Sequence, residues 1–295
     1  MVRAAGTAID EPRLNESSGL AASQLNPGVF WSHNDSGRAA ELYAFNDAGQ
    51  AVATVVLPDV QIADWEDMAI GPSAEGQPFT AIYLGDIGDN GDSRDSVTIL
   101  RVSEPDLRGV LPGDPITITA SSIERFDLIY DDGPRDAETL MVDPRDGSVY
   151  IAAKTTDETA GLYRAQLSYA GDPVTLEHVG DAAIPGLLGL TRLVTGGAIS
   201  PTGDRVVLRT YLAAWWWPVM PGQSIPDAMA AVPRRIALPI MRQGEAITFS
   251  ADGDVLYVTS EGSPALLGSV PAPSKARQIS VPAAGCCDDS NYQCR

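Results

Sequence analysis

The sequence is 295 residues long, 44% hydrophobic and 20% charged, with 39 acidic against 20 basic residues and a net charge of −19 at pH 7. This composition is typical of a globular protein rather than a disordered one, and the charge repels nucleic acid and anionic membranes while it attracts cations. The longest apolar runs are broken by Pro, Gly or charge, so we expect neither membrane insertion nor a nucleic-acid partner.

Five segments of the sequence share a short apolar core, which predicts that each begins a repeated unit. Their first positions lie 50, 72, 57 and 50 residues apart. The segments are Glu16–Ser23, Glu66–Pro72, Glu138–Pro144, Thr195–Pro201 and Glu245–Ala251. The first strands predicted within them are Gly19–Ala22, Met68–Gly71, Thr139–Val142, Gly197–Ser200 and Ala246–Phe249.

A second apolar run follows each segment after a turn rich in Gly, Asp, Asn or Pro: GVFWSHND, TAIYLGD, SVYIAAK, RVVLRTY and DVLYVTSE. Further strands are predicted in ELYAFND and AVATVVL of the first unit, and in VTILRVSEP and ITITASSIERFDLIY of the second. Helical periodicity is nearly absent. These features predict an all-β fold, a single β-propeller with five four-stranded blades. Six blades are the alternative, because the second interval is long and ring closure often borrows a strand from the other end of the chain.

The domain prediction is a β-propeller over residues 1–285 and a Cys-containing tail over residues 286–295. Cys286, Cys287 and Cys294 all lie in that tail. A disulfide from Cys294 to either of the other two fits an oxidising compartment, although the odd count leaves one thiol over. The N-terminal stretch MVRAAGTAIDEPRL has no apolar h-region, so we expect no signal peptide within it. The alternative is a signal peptide already removed from a longer precursor.

Four motifs lie within about residues 14 to 105: NESSGLAAS, HNDSG, DWEDMAIGP and GDIGDN. In these motifs the sequence resembles a group of exported bacterial β-propeller proteins, and it is more distantly similar to calcium-binding propeller hydrolases. The resemblance implies a propeller fold and a secreted or periplasmic location. It implies no established reaction.

In a propeller, residues before each first strand and residues after each second strand emerge at the same end of the axis, because the two strands are antiparallel. The first group is Glu16, Glu66, Glu138, Thr195 and Glu245, and the second includes Asn34, Asp35, Asp86, Asp89, Asn90, Lys154, Arg209 and Glu261. Carboxylates held this close destabilise one another unless protons or cations neutralise them. The sequence therefore predicts an acidic mouth that needs compensation.

Three forms of compensation are possible. Oxygen ligands suit a hard cation such as Ca²⁺. For that site the predicted ligands are Glu16, Asn34, Asp35, Glu66, Asp86, Asn90, Glu138 and Glu245. Alternatively, Lys154 and Arg209 pair with the Glu ring and make a metal unnecessary. In the third case the acidic side chains accept backbone N–H bonds from neighbouring blades.

Other motifs leave open whether the protein is an enzyme. GDIGDNGDSRD has acids and glycines like a calcium loop but lacks the full EF-hand spacing. No GxSxG motif is present, which argues against a serine hydrolase. The candidate catalytic residues are His33, Asp35, Glu66, Lys154 and Arg209.

The triplet WWW places Trp215 and Trp217 on one side of a strand and Trp216 on the other. The pair Trp215 and Trp217 is either a stacking platform for a ligand or packing between blades.

The predicted function is thus an exported propeller whose acidic axial site binds a cation, with calcium the expected cofactor, and holds a small molecule, a sugar or a protein ligand. The alternative is a calcium-dependent hydrolase acting on a phosphate or carboxyl ester or a lactone, in which the metal polarises the substrate.

Overall fold

The structure is a computed structural model, and it describes residues 6–35, 39–73, 80–168, 173–186 and 189–274. Within these ranges the chain is almost entirely β-strand, with one short α-helix and one 3-10 turn. None of the helical residues described forms a segment long and apolar enough to cross a bilayer.

The described residues contain 21 strands, which are distributed along the chain. Their bounds are β1 Thr7–Ala8, β2 Ser17–Ala22, β3 Val29–Asn34, β4 Glu41–Asn46, β5 Ala51–Val56, β6 Trp65–Pro72, β7 Thr80–Asp86, β8 Val97–Ser103, β9 Ile116–Thr119, β10 Ile123–Tyr130, β11 Ala137–Val142, β12 Val149–Ala153, β13 Thr159–Ala165, β14 Val174–Ala183, β15 Val194–Ile199, β16 Arg205–Thr210, β17 Ala214–Pro218, β18 Arg234–Ile236, β19 Gly244–Phe249, β20 Val255–Ser260 and β21 Leu266–Pro271. The 3-10 turn is Gly189–Thr191 and the helix α1 is Ile225–Met229.

The strands form four hydrogen-bonded sheets. One has the order β2-β3-β4-β5-β9, another β15-β16-β17-β18, and a third β19-β20-β21-β1. The largest runs β6-β7-β8-β10 and continues through β14 into β13-β12-β11. Among the described strand pairs, β5 with β9 and β10 with β14 are parallel and the others are antiparallel. The parallel pair β10–β14 therefore joins two four-stranded units at their outer edges.

The inner strands β2, β6, β11, β15 and β19 surround a common axis. They contact one another in that order, and β19 contacts β2. The N-terminal strand β1 completes the sheet of the C-terminal strand β21, where Thr7 pairs with Leu267. This closure with a strand from the other end of the chain agrees with the sequence expectation. The arrangement of sheets around an axis is that of a β-propeller.

Small residues allow the inner strands to approach closely. A Cβ on Gly197 of β15 would lie 2.8 Å from both Leu208 Cδ2 and Thr139 Cγ2, and one on Gly196 would lie 2.8 Å from Glu245 O. Real Cβ atoms essentially never come so close to backbone. Glycine is therefore required where β15 packs between β11 and β19.

The predicted first strands are confirmed, since each lies within an inner strand, except that β15 ends at Ile199, one residue before the predicted end. The sheet predicted for the segment ITIT was wrong. This segment is β9, and it pairs in parallel with β5 of the first unit instead of joining the second. Local sequence pattern predicts that a strand forms, but the loop after β8 decides which sheet edge it reaches. The cysteines lie outside the described residues.

The tryptophan triplet packs between sheets. Trp217 is fully buried and donates from Nε1 to Ala231 O at 2.8 Å. Trp216 is buried on the opposite face, where Arg234 lies over its ring. Trp215 is half-buried and packs against the same core cluster as Trp217. These positions confirm the predicted alternation, and they favour packing over a ligand platform at Trp215 and Trp217.

Candidate functional site: the acidic axial mouth

Each inner strand contains a β-bulge near its first residue, where the inner strand has one residue more than the strand paired with it. The shifts lie between Ser17 and Leu20, Trp65 and Asp67, Ala137 and Leu140, Val194 and Gly196, and Gly244 and Ile247. Such bulges redirect side chains. The residue that follows the first paired position is Ser18, Glu66, Glu138, Thr195 and Glu245 in the five strands.

The sequence alignment of the first segment was therefore wrong by two residues. The repeat pattern aligns Glu16 with Glu66, but the strand register makes Ser18 the equivalent of Glu66, and Glu16 the equivalent of Asp64. A shift of two residues preserves the alternation of a strand, so the pattern could not detect it. Ser18 Oγ donates to Glu66 O at 2.5 Å, which ties β2 to β6.

Three carboxylates come together at the β6 side of the mouth. Asp35, Asp64 and Glu66 each offer an oxygen atom, and these atoms all lie within 4.8 Å of one another. Glu66 is 7% exposed, and the other two are half-buried. We call this group the carboxylate triad. Its geometry suits a hard cation, which prefers oxygen ligands. Asp35 and Glu66 were predicted ligands, whereas Asp64 was missed although it lies in the same DWED motif.

Gly88 forms the wall of the carboxylate triad. A Cβ at this position would lie 2.4 Å from both Asp64 Oδ2 and Glu66 Oε1. Its backbone N–H donates to Asp64 O at 3.3 Å. The absence of a side chain at residue 88 therefore leaves room beside these two oxygens, and the sequence motif GDIGDN contains this glycine.

The surroundings of Glu66 have a strong effect on its pKa. Burial raises the pKa of Glu66 to about 11, and the charges of Glu138, Asp35 and Asp64 contribute to the rise. Burial likewise raises the pKa of Asp64, with contributions from Asp35 and Asp136. Like charges confined in a site of low dielectric favour protonation or the binding of a cation.

The β11 side of the mouth has its own cation. Lys154 Nζ donates to Glu138 Oε1 and lies 3.6 Å from Asp136 Oδ2. Burial raises the pKa of Glu138 to about 7, against the lowering effect of the Lys154 hydrogen bond. The other oxygen, Glu138 Oε2, is buried and has no hydrogen-bond partner among the described residues. The expected pairing of Lys154 with the Glu ring is thus present at Glu138.

Arg209 compensates Glu245 without a direct ion pair among the described contacts. Its Nη1 donates to Ala246 O and Thr259 O. Burial lowers the pKa of Arg209 to about 10, against the raising effect of Glu245. Burial also raises the pKa of Glu245 to about 8, with contributions from Glu138 and Glu261. Arg209 is 1% exposed, so it is not placed to contact a ligand and the catalytic role considered for it is not favoured.

Several predicted metal ligands are occupied by backbone donors. Asn34 Oδ1 accepts from the N–H groups of Asn15 and Glu16 at 3.0 Å. Asp86, the equivalent residue of β7, accepts from the N–H groups of Ala63 and Asp64 and forms an ion pair with Arg94, whose Nη1 lies 2.9 Å from Asp86 Oδ1. These contacts hold the start of each inner strand, so Asn34 and Asp86 position the mouth instead of facing a cation.

The GDIGDNGDSRD loop is also held by its own hydrogen bonds. Asp89 Oδ2 accepts from Ser93 N at 2.7 Å and Arg94 N at 2.8 Å. Asn90 is exposed, and it is not part of the carboxylate triad. The loop therefore contributes Gly88 to the site, and Asp89 stabilises the conformation of the loop.

His33 is fully buried and does not face the mouth. Its Nδ1 lies 2.9 Å from Asn34 O, and its ring packs edge-on against Trp65 at 5.3 Å. A Cβ on Gly19 would lie 2.4 Å from His33 Nε2. Burial lowers the pKa of His33, which favours the neutral ring. The structure favours a packing role over the general base considered from the sequence.

Asp67 is the functional-site residue that sequence reasoning overlooked most clearly. It is 0% exposed, and its Oδ2 accepts from Leu140 N of β11 at 3.0 Å and Gly197 N of β15 at 3.4 Å. Its Oδ1 accepts from Met68 N at 2.8 Å. Burial raises the pKa of Asp67 well above its usual range, although these hydrogen bonds oppose the rise. One side chain thus links three inner strands directly behind the acidic mouth.

A separate cavity of about 300 Å³ lies at the opposite ends of the inner strands. Among the described residues no charged side chain lines it, and Pro72, Pro144 and Pro201 form part of its rim. In the described part of the chain the axis is therefore acidic at one end and uncharged at the other.

Comparison with known proteins yields weak similarities only. No protein-family model and no curated protein matches the sequence. Among solved structures, a gluconolactonase from Xanthomonas campestris is 14% identical, with 92% of this chain and 99% of that chain covered and a TM-score of 0.44. A chain of the nidogen/laminin complex is 15% identical, with 84% and 73% covered and a TM-score of 0.42.

A protein from Bacteroides uniformis ATCC 8492, provisionally assigned as a 6-phosphogluconolactonase, is 14% identical, with 92% of this chain and 70% of that chain covered and a TM-score of 0.43. All three TM-scores lie below 0.5.

Proposed function

We propose that the protein is a cation-binding propeller whose carboxylate triad, Asp35, Asp64 and Glu66, holds a hard divalent ion, with calcium the favoured ion. The observation that carries this proposal is the convergence of three oxygen ligands from two neighbouring units within 4.8 Å. The raised pKa of Glu66 and the open space at Gly88 support it. Carboxylates alone, without Cys or His, fit calcium or magnesium better than zinc or copper.

We further infer that the propeller has five blades. The cyclic contacts of β2, β6, β11, β15 and β19 support this count, because each of these strands begins a unit of four strands. In that interpretation β9 is an added fifth strand of the first blade, and β1 closes the last. The ion would sit where the first two blades meet, at the mouth, and a small molecule, a sugar or a protein would complete its coordination from the solvent side.

The cation proposal is tested by metal analysis and by thermal melting. We expect purified protein to contain about one calcium or magnesium ion per chain. The melting temperature should rise when calcium replaces chelator, because a ligand that binds only the folded state stabilises it. Protein that holds no divalent ion and melts at the same temperature in calcium and in chelator would refute the proposal.

A second function, a calcium-dependent ester or lactone hydrolase, is favoured by one observation. Lys154 lies at the same mouth, 19% exposed and hydrogen-bonded to Glu138, where its ammonium group could hold a substrate oxygen. A bound divalent ion would act there as a Lewis acid. Hydrolysis of a lactone or ester panel in calcium, abolished by chelator and by Glu66→Gln, would support this function. Calcium binding without turnover of any member of the panel would leave binding as the function.

A further inference from the structure

The acidic mouth divides into two parts that are compensated differently. The triad surrounds Glu66 on the β6 side, whereas Lys154 contacts Glu138 and lies near Asp136 on the β11 side. Glu66 and Glu138 are equivalent residues of adjacent inner strands. A cation held by the triad and a cation held at Glu138 would therefore be neighbours.

Lys154 places its ammonium group beside the carboxylates of Glu138 and Asp136. Its backbone N–H donates to Asp136 O at 2.9 Å, which fixes the residue just after β12. Its side chain is 19% exposed, and its ammonium group donates to Glu138 and lies 3.6 Å from Asp136 Oδ2. A lysine is protonated at neutral pH, so the ammonium group supplies a positive charge beside both carboxylates.

Glu138 retains capacity for a cation. The Glu138 side chain is 10% exposed, and its Oε2 is buried without a hydrogen-bond partner among the described residues. A buried carboxylate oxygen without a donor is energetically costly. This oxygen distinguishes Glu138 from Asn34 and Asp86, whose oxygens accept backbone N–H groups. Asp136 accepts one such bond at Oδ1, from Asp89 N at 2.8 Å, and its Oδ2 lies 3.6 Å from Lys154 Nζ.

We propose that Lys154 acts as a built-in cation that limits the mouth to one divalent ion, and that removal of its charge turns Glu138 and Asp136 into a second cation site. This inference rests on the proposed function for its first ion only. In this proposal the positive charge of Lys154 sets the number of divalent ions that bind at the mouth.

Equilibrium dialysis against calcium, which counts ions bound per chain, tests the inference. Wild type should bind one ion and Lys154→Met should bind two, the second more weakly. The double variant Lys154→Met/Glu138→Gln should return to one ion. A Lys154→Met protein that binds a single ion with wild-type affinity, or a wild type that binds two, would overturn the inference.

Glu138→Gln, compared with the double variant, provides a second readout that uses the affinity for the first ion and not the number of ions bound. It leaves the ammonium group without its carboxylate partner next to the triad, so calcium affinity should fall by roughly tenfold. The double variant should recover most of this loss, because the repelling charge is gone. An equal loss in the single and double variants would show that Lys154 has no effect on the ion.

The two proposals fail separately in these experiments. A wild type without bound calcium contradicts the proposed function. In that case a Lys154→Met protein that gains one ion still supports the role of Lys154, and one that gains none contradicts it as well.

Discussion

Glu66 and Glu138 occupy equivalent positions in adjacent inner strands, but Lys154 donates a hydrogen bond to Glu138, while Asp35 and Asp64 lie beside Glu66. The repeat thus places the same side chain twice and gives it opposite surroundings. One glutamate has a cation supplied by the chain, and the other collects further negative charge. This asymmetry is the reason that we place a divalent ion at Glu66.

Replacement of Glu66 by Gln should remove one anionic ligand at nearly constant volume. We expect wild type to gain roughly 5 °C in melting temperature at a hundredfold excess of calcium over its Kd, and the variant to lose most of this gain. Glu245→Gln is the matched control, because Glu245 holds the equivalent position in β19 but is not part of the triad. Differential scanning calorimetry with calcium and with chelator measures both. Equal calcium responses in all three proteins would contradict the site.

Replacement of Gly88 by Ala should weaken calcium binding without removing any ligand. Its Cβ would lie 2.4 Å from Asp64 Oδ2 and Glu66 Oε1 and would push these oxygens apart. Isothermal titration calorimetry should give at least a tenfold higher Kd, since cation sites tolerate little displacement of their ligands. Gly91→Ala, in the same loop, should have wild-type affinity because its Cβ would meet only Ser93 Oγ at an ordinary 3.4 Å.

Stability in chelator should fall as the pH rises. Burial raises the pKa of Glu138 to about 7 and of Glu245 to about 8, above the ordinary carboxyl value of 4.5. The folded state therefore binds more protons than the unfolded state between pH 4.5 and 8, and stability is lost as the pH rises through this window. Glu11 and Asp204 have the opposite effect, because Arg13 and Ser200 lower their pKa values despite burial. The stability that these two carboxylates contribute is lost only as the pH falls below about 4.5.

Calcium affinity should show the opposite dependence on pH. Glu66, whose pKa burial raises to about 11, must release its proton when it binds calcium. Affinity should therefore rise by about tenfold per pH unit between pH 6 and 8. Titrations in buffers of different ionisation enthalpy count the released proton. An affinity that does not change over this range would mean that Glu66 is not a ligand.

Removal of the Asp67 side chain should destabilise the whole fold. Asp67→Ala leaves the N–H groups of Leu140 and Gly197 without their acceptor in a buried site, which should cost roughly 2 to 4 kcal/mol. Asp67→Asn should cost less, because the amide oxygen still accepts. Asp114→Ala, in an exposed turn, is the control. Urea unfolding in chelator measures all three, and a loss for Asp67→Ala no larger than the control's would show that the link between strands is unimportant.

The sequence predicted the inner strands because their apolar cores and turns recur at regular intervals, and it predicted an acidic mouth from the position of Glu66, Glu138 and Glu245. It did not predict the correct place of Glu16, because a two-residue shift leaves the alternation of a strand unchanged. It also missed Asp67, since a strand-interior carboxylate is recognised as a link only when the N–H groups of Leu140 and Gly197 are seen beside it.

Side-chain partners were the least predictable feature. Asn34 and Asp86 have the residue types of metal ligands, but their oxygens accept backbone N–H groups of loops whose course depends on the tertiary fold. The DWED motif does carry a signal for Asp64, because this residue lies two positions before Glu66 and strand alternation places both on the same side. His33 could not be placed without the close approach of Gly19, which opens the space for its ring.

A divalent cation at the carboxylate triad can be located by X-ray diffraction from crystals grown with calcium and then soaked in a lanthanide. We expect one strong anomalous peak about 2.3 to 2.6 Å from the oxygens of Asp35, Asp64 and Glu66, and no such peak in Glu66→Gln. No peak at the triad in ordered wild-type crystals, or a Lys or Arg side chain at that position, would show that the triad does not bind a divalent cation.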